Sequence, residues 1–405
     1  MAAASTDSRV PGMPRQHFVH VVRTAGTGGV ETHVRSMIRL MQARGLEVTL
    51  VSLAREAPHR QFVELGCQIV SLHDESGWGW HTVKSGLALI GVLRRLRPDV
   101  VHVHGARPIL LGTLAAKAAG SGAVVCSLHG AHDLMVVRDD GTIGPVGAWF
   151  ARVVHGLGFL LSDAVVICAG RLRRDVEVSL ATASAGFPGR ALRKVQLVHH
   201  GIDLLPFASA TPARPPAEGR PFVVGTLCRL DEPKKGVAVL LKAVAALESR
   251  GIQVSLRIAG GGHSRSSLER QAATLDLRDC QFLGFVEDAP SFYATLDVFV
   301  LPSFSEGMPL VNLEAMASGL PVVTSDVGGA AEAVLDGDCG LVVPPGDVGA
   351  LASALEVLAR DSGRRTRFGQ AGFDRARRHF SLDAMFEKLR AVYDGVSRSP
   401  GDIQP

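Results

Sequence analysis

Short runs of branched apolar residues, each followed by a break and then by a helical stretch, recur along the whole chain. The first half holds them at His17–Val22, 47–53, 68–72, Val100–His104, 124–128, 164–168 and 194–198. The second half repeats the pattern at Phe222–Leu227, 253–259, 280–283, Val298–Leu301, 322–324 and Gly340–Val343. Runs without polar alternation are strands covered on both faces, and strands that alternate with helices form a parallel sheet between two helical layers. The helical stretches between them include 30–44, 236–250 and 348–358, with 385–396 as the closing one. A chain of 405 residues exceeds one ordinary core, so two domains are expected. The segment 206–221 is rich in Pro and Ala, lacks an apolar period and reads as a linker. The expected division is a disordered tail over 1–16, an N-terminal domain over 17–205, the linker, a C-terminal domain over 222–384, and a last helix and tail over 385–405. Two doubly wound α/β domains facing each other across a cleft would bind ligands at the carboxyl ends of their strands.

Several function classes are set aside by composition and motif. The six cysteines are scattered without a C-x-x-C pair, as in a reducing compartment without a zinc framework. No H-E-x-x-H, G-x-S-x-G or Cys–His nucleophile pattern occurs, and Asp336-Gly337-Asp338 reads as turn chemistry. Metal dependence and other cofactors are therefore not expected. The start of the chain lacks the apolar core of a signal peptide, and the apolar stretch 153–169 is broken by His155, Ser162 and Asp163. The reading is a cytoplasmic protein, with no nucleic-acid partner. Residues 1–205 carry 22 Lys and Arg against 15 Asp and Glu, whereas residues 206–405 carry 21 against 24. The basic first half suits an anionic acceptor or the inner face of a membrane, and equally a solvated Arg-rich surface.

The most informative chemistry lies in Ser303-Phe304-Ser305-Glu306-Gly307-Met308-Pro309-Leu310-Val311-Asn312-Leu313-Glu314. It follows a buried strand and opens a helix that starts near Pro309 and stops at Gly319, the usual asymmetry of helix ends. Glu306 falls on the loop at the strand's carboxyl end, and Glu314 more than a turn into the helix. The amides of Gly307, Met308, Pro309, Leu310 and Val311 would face the crevice, where a helix N-terminus attracts anions. A phosphate flanked by two hydroxyl-binding carboxylates describes a nucleotide sugar. A second motif, Arg229-Leu230-Asp231-Glu232-Pro233-Lys234-Lys235-Gly236, places Arg229 at a strand end and Lys235 before a helix. Two fixed cations there suit a diphosphate leaving group whose charge grows as its bond to the sugar breaks. Near the start, Gly26-Thr27-Gly28-Gly29-Val30-Glu31 puts Glu where a dinucleotide fingerprint needs its third Gly, so that fingerprint fails.

Together these motifs resemble glycosyltransferase family 4, the retaining enzymes of GT-B fold built from two Rossmann-like domains. Glu306 to Glu314 is similar to the family's E-x7-E signature. Arg229 and Lys235 match its R-L-x-x-x-x-K-G stretch, as in bacterial phosphatidylinositol mannosyltransferases, and Gly28-Gly29 matches its N-terminal glycine loop. The resemblance runs from about residue 17 to 396. It implies that Arg229 and Lys235 hold the donor diphosphate, Glu306 the donor sugar, Glu314 the ribose, and that Gly28 and Gly29 let the diphosphate approach. It also implies that Val286 meets the nucleobase through main-chain atoms, and that His129, in Ser127-Leu128-His129-Gly130, lies near the donor sugar. His132 and Asp133 in the following loop, and His102 and His104 on one face of Val100–His104, are candidates for the acceptor. Where the family has Asn before Gly-Ile-Asp, this chain has His200.

The expected function is retaining, metal-independent transfer from a UDP- or GDP-sugar to an acceptor hydroxyl, in polysaccharide, glycolipid or natural-product synthesis. A nucleotide-sugar 2-epimerase of similar fold and a non-catalytic nucleotide-sugar-binding protein remain the alternatives. The nucleotide sugar enters as substrate, and the acceptor is a saccharide, a lipid-linked group or a small molecule.

Overall fold

Val, Ile and Leu dominate the inner strands of both sheets, because both faces of those strands are covered. In the computed structural model, which describes residues 16–26, 28–54, 57–74, 80–130, 145–184, 189–207 and 220–397, the strands of the first series form one seven-stranded sheet. They are β1 (His17–Val22), β2 (Glu47–Ala54), β3 (Gln68–Asp74), β4 (Val100–His104), β5 (Ala123–Leu128), β6 (Ala164–Ile167) and β7 (Val195–Leu197). Their order is β3-β2-β1-β4-β5-β6-β7, and every pairing is parallel. The second sheet contains β8 (Phe222–Leu227), β9 (Val254–Ala259), β10 (Cys280–Gly284), β11 (Val298–Leu301), β12 (Val322–Ser325) and β13 (Gly340–Val343). It runs β10-β9-β8-β11-β12-β13, again all parallel. In each sheet the order reverses at one place, between β1 and β4 and between β8 and β11. Loops leaving two adjacent strands in opposite directions open a crevice at such a switch point.

The chain divides into two units, Met1–His199 with Met385–Pro405, and His200–Ala384. The last helix, Leu382–Ser397, thus contributes most of its length to the first unit, where Tyr393 packs on Phe18 with ring centroids 5.1 Å apart. The sequence reading set this helix apart from both domains. Residues 1–15 of the expected tail and 208–219 of the expected linker lie outside the described residues, whereas Phe207 is buried in a short 3-10 turn.

One long helix, Ser362–His379, has no counterpart in the sequence reading. Its sequence is mostly polar and contains three glycines, Gly363, Gly369 and Gly372, which hides the apolar period. Gly369 is there because the helix crosses the Gly319 turn closely: a Cβ at Gly369 would stand 2.2 Å from the Gly319 carbonyl oxygen. Asp361 caps the helix by accepting from the Arg364 amide at 2.8 Å, and buried Phe368 and Ala376 anchor it.

Candidate active site

The second unit gathers its charged residues at the switch point. Arg229 and Lys235 lie on the loop after β8, and Glu306 on the loop after β11, the strand paired with β8. The two loops are pinned together by backbone. The Phe304 amide donates to the Lys234 carbonyl at 2.8 Å. Gly236 adopts φ +64°, and a Cβ on it would stand 2.1 Å from the Pro302 carbonyl oxygen. Only glycine satisfies both the left-handed backbone and the close approach. This contact delivers Lys235 to Glu306: its Nζ donates to Glu306 Oε1 at 2.6 Å, with side chains 19% and 11% exposed. Ser303 Oγ donates to the same oxygen at 2.7 Å.

Arg229 stands differently. Its side chain is 60% exposed, with Asp231 Oδ2 at 3.5 Å from Nε. Its backbone is fixed from the other side by Gly260-Gly261-Gly262. The Leu230 amide donates to the Gly261 carbonyl at 2.9 Å, and a Cβ on Gly260, at φ +117°, would fall 1.9 Å from the Cys228 carbonyl oxygen. The neighbouring Cys228 thiol is pushed up to about 12, chiefly by burial, and is not a nucleophile. The Gly260 amide also donates to the Gly284 carbonyl at 2.6 Å, which ties the end of β10 to this loop. Val286 follows two residues later and is half-buried.

The helix after β11 runs Leu310–Ala317, with Pro309 at its N-cap. Its first amides have no intrahelical acceptor. Pro309 lacks an N–H, so the expected run of amides reduces to Gly307, Met308, Leu310 and Val311. His200 Nδ1 donates to the Met308 carbonyl at 3.0 Å and so holds the turn before the helix. Gly328, at φ +49°, lets a second loop approach, for a Cβ there would lie 2.0 Å from the Glu306 carbonyl oxygen. Glu314, one turn inside the helix, accepts from the buried Tyr293 hydroxyl at 2.8 Å. Burial, with the Glu314 charge beside it, holds the Tyr293 hydroxyl protonated far above its ordinary value, so it remains a donor. Tyr293, Ser303 and Gly328 were given no role by sequence reasoning because each acts through a tertiary contact, and His200 was noted only as a departure from the family pattern.

The first unit holds the remaining candidates. Gly28 precedes the helix Gly29–Ala43 in fully extended backbone, and a Cβ on Gly29 would meet nothing within 4 Å. His129 lies just past β5, 7% exposed, with Nε2 at 3.0 Å from His104 Nδ1. His102 and His104, expected to meet the acceptor, lie in the interior of the unit. Both are 1% exposed. His102 is hydrogen-bonded to Tyr393 and Ser127, and His104 to His20 and His129, so both nitrogens of each ring are engaged inside the unit. Burial drives the ring pKa of each well below its ordinary value. His132 and Asp133 lie outside the described residues.

With this geometry in view, the sequence relationships are decisive. Residues 27–205 match the model for Glycosyltransferase Family 4, and residues 221–361 that for Glycosyl transferases group 1. A GDP-mannose-dependent α-(1-6)-phosphatidylinositol monomannoside mannosyltransferase of Mycolicibacterium smegmatis is 32% identical over 312 residues, 70% of this chain and 72% of the relative. The chain belongs to glycosyltransferase family 4. It is a nucleotide-sugar-dependent, retaining, metal-independent glycosyltransferase. A glycogen synthase of Mycobacterium tuberculosis is 28% identical over 416 residues, 93% of this chain and 94% of the relative. The crystal structure of Anabaena HepE with UDP and glucose superposes with a TM-score of 0.73 at 19% identity, over 93% of this chain and 99% of that one. That likeness shows the GT-B fold. Among the described residues, no helix is long and apolar enough to cross a membrane.

Proposed function

We propose that this glycosyltransferase takes a UDP- or GDP-hexose as donor and holds its diphosphate between Arg229, Lys235 and the amides at the start of Leu310–Ala317. Glu314 binds the ribose hydroxyls, Glu306 a sugar hydroxyl, and main-chain atoms at Val286 the base. Gly28 and Gly29 give the diphosphate room, and His129 holds a sugar hydroxyl. The observation that carries this reading is the Lys235–Glu306 pair, fixed at the switch point by the Gly236–Pro302 contact. There a cation for the leaving phosphate and a carboxylate for the sugar stand side by side. Negative charge that develops on the departing diphosphate meets donors already in place. No carboxylate is offered as a covalent nucleophile. Retention then requires the acceptor hydroxyl to approach on the face from which the phosphate leaves, and its proton passes to that phosphate oxygen.

The acceptor is a saccharide or lipid-linked hydroxyl, and the enzyme works in the cytoplasm beside the inner membrane face. The helix Pro145–Leu161 supports a membrane-side acceptor, because it exposes Trp149, Phe150, Leu157 and Leu161 with Arg152 among them. Calorimetric titration with UDP and with GDP, followed by turnover of UDP-glucose and GDP-mannose with and without acceptors, tests the donor assignment. One nucleotide is expected to bind and its sugar to be consumed, with EDTA without effect. Failure of both nucleotides to bind, or activity lost to EDTA and restored by Mg²⁺, overturns it. Sedimentation with anionic vesicles tests the membrane, where equal recovery with neutral vesicles counts against it.

A further inference from the structure

One face of the first sheet carries a row of imidazoles where a parallel sheet is ordinarily apolar. The register pairs His20 with His102 and His104 with Ser127, and alternation adds His104 to the same face as His102. His129 follows two residues after Ser127. His20 is fully buried, and its Nδ1 lies 2.9 Å from His104 Nε2. His104 Nδ1 in turn lies 3.0 Å from His129 Nε2. The rings are nearly parallel along this line, at 24° between His20 and His104 and 17° between His104 and His129. His102 stands beside the line, bonded at 2.6 Å to both Tyr393 and Ser127.

Two readings compete. Nitrogens of His20, His102 and His104 lie within 4.8 Å of one another, as metal ligands would. Ligation, however, would take from His102 its bond to Tyr393 or Ser127, and from His104 its bond to His20 or His129. The closed set of hydrogen bonds favours a chain. A neutral imidazole has one N–H and one lone pair. His104 is bonded through both nitrogens to other imidazoles, so it donates with one and accepts with the other. The chain therefore has only two proton arrangements. His20 Nε2, buried and without a hydrogen-bond partner among the described residues, decides between them. An orphaned buried N–H is the arrangement that folded proteins avoid most strongly. The lone pair therefore sits at His20 Nε2, His20 Nδ1–H donates to His104 Nε2, and His104 Nδ1–H donates to His129 Nε2.

We infer that His20 and His104 are positioning residues that lock His129 in the tautomer with its proton on Nδ1. His129 then acts as a hydrogen-bond donor at Nδ1, and its Nε2 is withdrawn from use as a base. Burial supports a neutral chain, because it lowers His20 to about 3 and His104 well below its ordinary value. The catalytic consequence rests on the reading of His129 as a sugar-site residue, whereas the tautomer does not.

The test uses the full-length protein labelled with ¹⁵N at histidine. Long-range ¹H–¹⁵N correlation spectra at pH 7.5, assigned with His129→Gln, should show His129 protonated at Nδ1 alone. His104→Leu should release that tautomer and lower kcat by at least about tenfold, the smaller end of what losing a group that orients an imidazole costs. KM for the donor should stay within about twofold. His104→Asn keeps an N–H donor at the Nδ1 position and should restore both the tautomer and most of kcat. A wild-type His129 protonated at Nε2, or an unchanged tautomer in His104→Leu, overturns the inference, and the wild-type spectrum needs no variant to fold. Full activity in His129→Ala beside the expected spectrum would instead remove His129 from the sugar site and leave the chain standing.

Discussion

Acidification should unfold the first unit through its interior, well before its surface carboxylates titrate. His20 is fully buried and keeps its imidazole neutral down to about pH 3, against an ordinary value of 6.5. The unfolded chain takes up that proton as the pH falls through 6.5, and the folded chain does so only near 3. Between these values the unfolded state binds more protons, so stability is full above 6.5 and declines as the pH drops. At pH 5, one and a half pH units below the ordinary value, His20 alone accounts for about 2 kcal/mol. His102 and His104 shift in the same direction for the same reason and add to it. That is a large part of the roughly 5–15 kcal/mol that holds a typical domain. All three tryptophans, Trp78, Trp80 and Trp149, belong to the first unit, so their fluorescence follows this unit during urea unfolding. The midpoint should fall steeply between pH 6.5 and 5, and His20→Phe should flatten the decline by about one proton's worth. Equal wild-type stability at pH 8 and pH 5 would refute the reasoning, as would an unchanged slope in His20→Phe.

Lys235→Ala should cut transfer by at least about a hundredfold, while Lys234→Ala leaves it nearly unchanged. Because Glu306 is left desolvated, Lys235→Ala should also destabilise the second unit by about 3–5 kcal/mol, and adding Glu306→Gln should recover much of that loss in a thermal melt. Glu314→Gln should weaken binding of the nucleoside diphosphate, since charge-assisted bonds to hydroxyls carry roughly 1.5–3 kcal/mol; equal calorimetric affinity would discard the ribose assignment. Gly236→Ala should abolish transfer although it touches no charge, because its Cβ drives the Lys235 turn away from Pro302; wild-type kcat in a folded variant would show that the contact is dispensable.

Both sheets were legible in the sequence because most strands are runs of branched apolar residues, and the break after each run marks where the strand stops. Val100–His104, Phe222–Leu227, Val298–Leu301 and Gly340–Val343 coincide with the observed strands residue for residue. The helix Ser362–His379 was invisible because it buries Phe368, Gly369 and Gly372 instead of an aliphatic stripe. In the candidate site, the charged residues were proposed from their spacing. What holds them was not legible: Tyr293 reaches Glu314 from 21 positions away, and Gly328 meets the Glu306 backbone across a separate loop. The burial of the histidines was illegible for a related reason. Alternation placed His102 and His104 on one face, but nothing local told whether that face met water or the Tyr393 helix.

Two opposite charges, Lys235 and Glu306, stand together in the site proposed for a diphosphate. Each is largely desolvated, and each offsets the other's loss of water. An ammonium has three donors, and Glu306 engages one of them, so Lys235 can meet a phosphate oxygen without surrendering its partner. Glu306 receives Ser303 on the same oxygen, and in the proposed site its second oxygen would take a sugar hydroxyl. The pair is therefore neutral as a unit, whereas Arg229, 60% exposed with Asp231 Oδ2 at 3.5 Å from Nε, keeps further guanidinium donors toward solvent for a diphosphate. Arg229 should govern capture of the donor and respond to ionic strength, whereas Lys235 should govern the step in which charge moves onto the phosphate. Arg229→Ala should thus act mainly on donor KM with a weakened salt dependence, and Lys235→Ala mainly on kcat. The opposite division would assign capture to the buried pair.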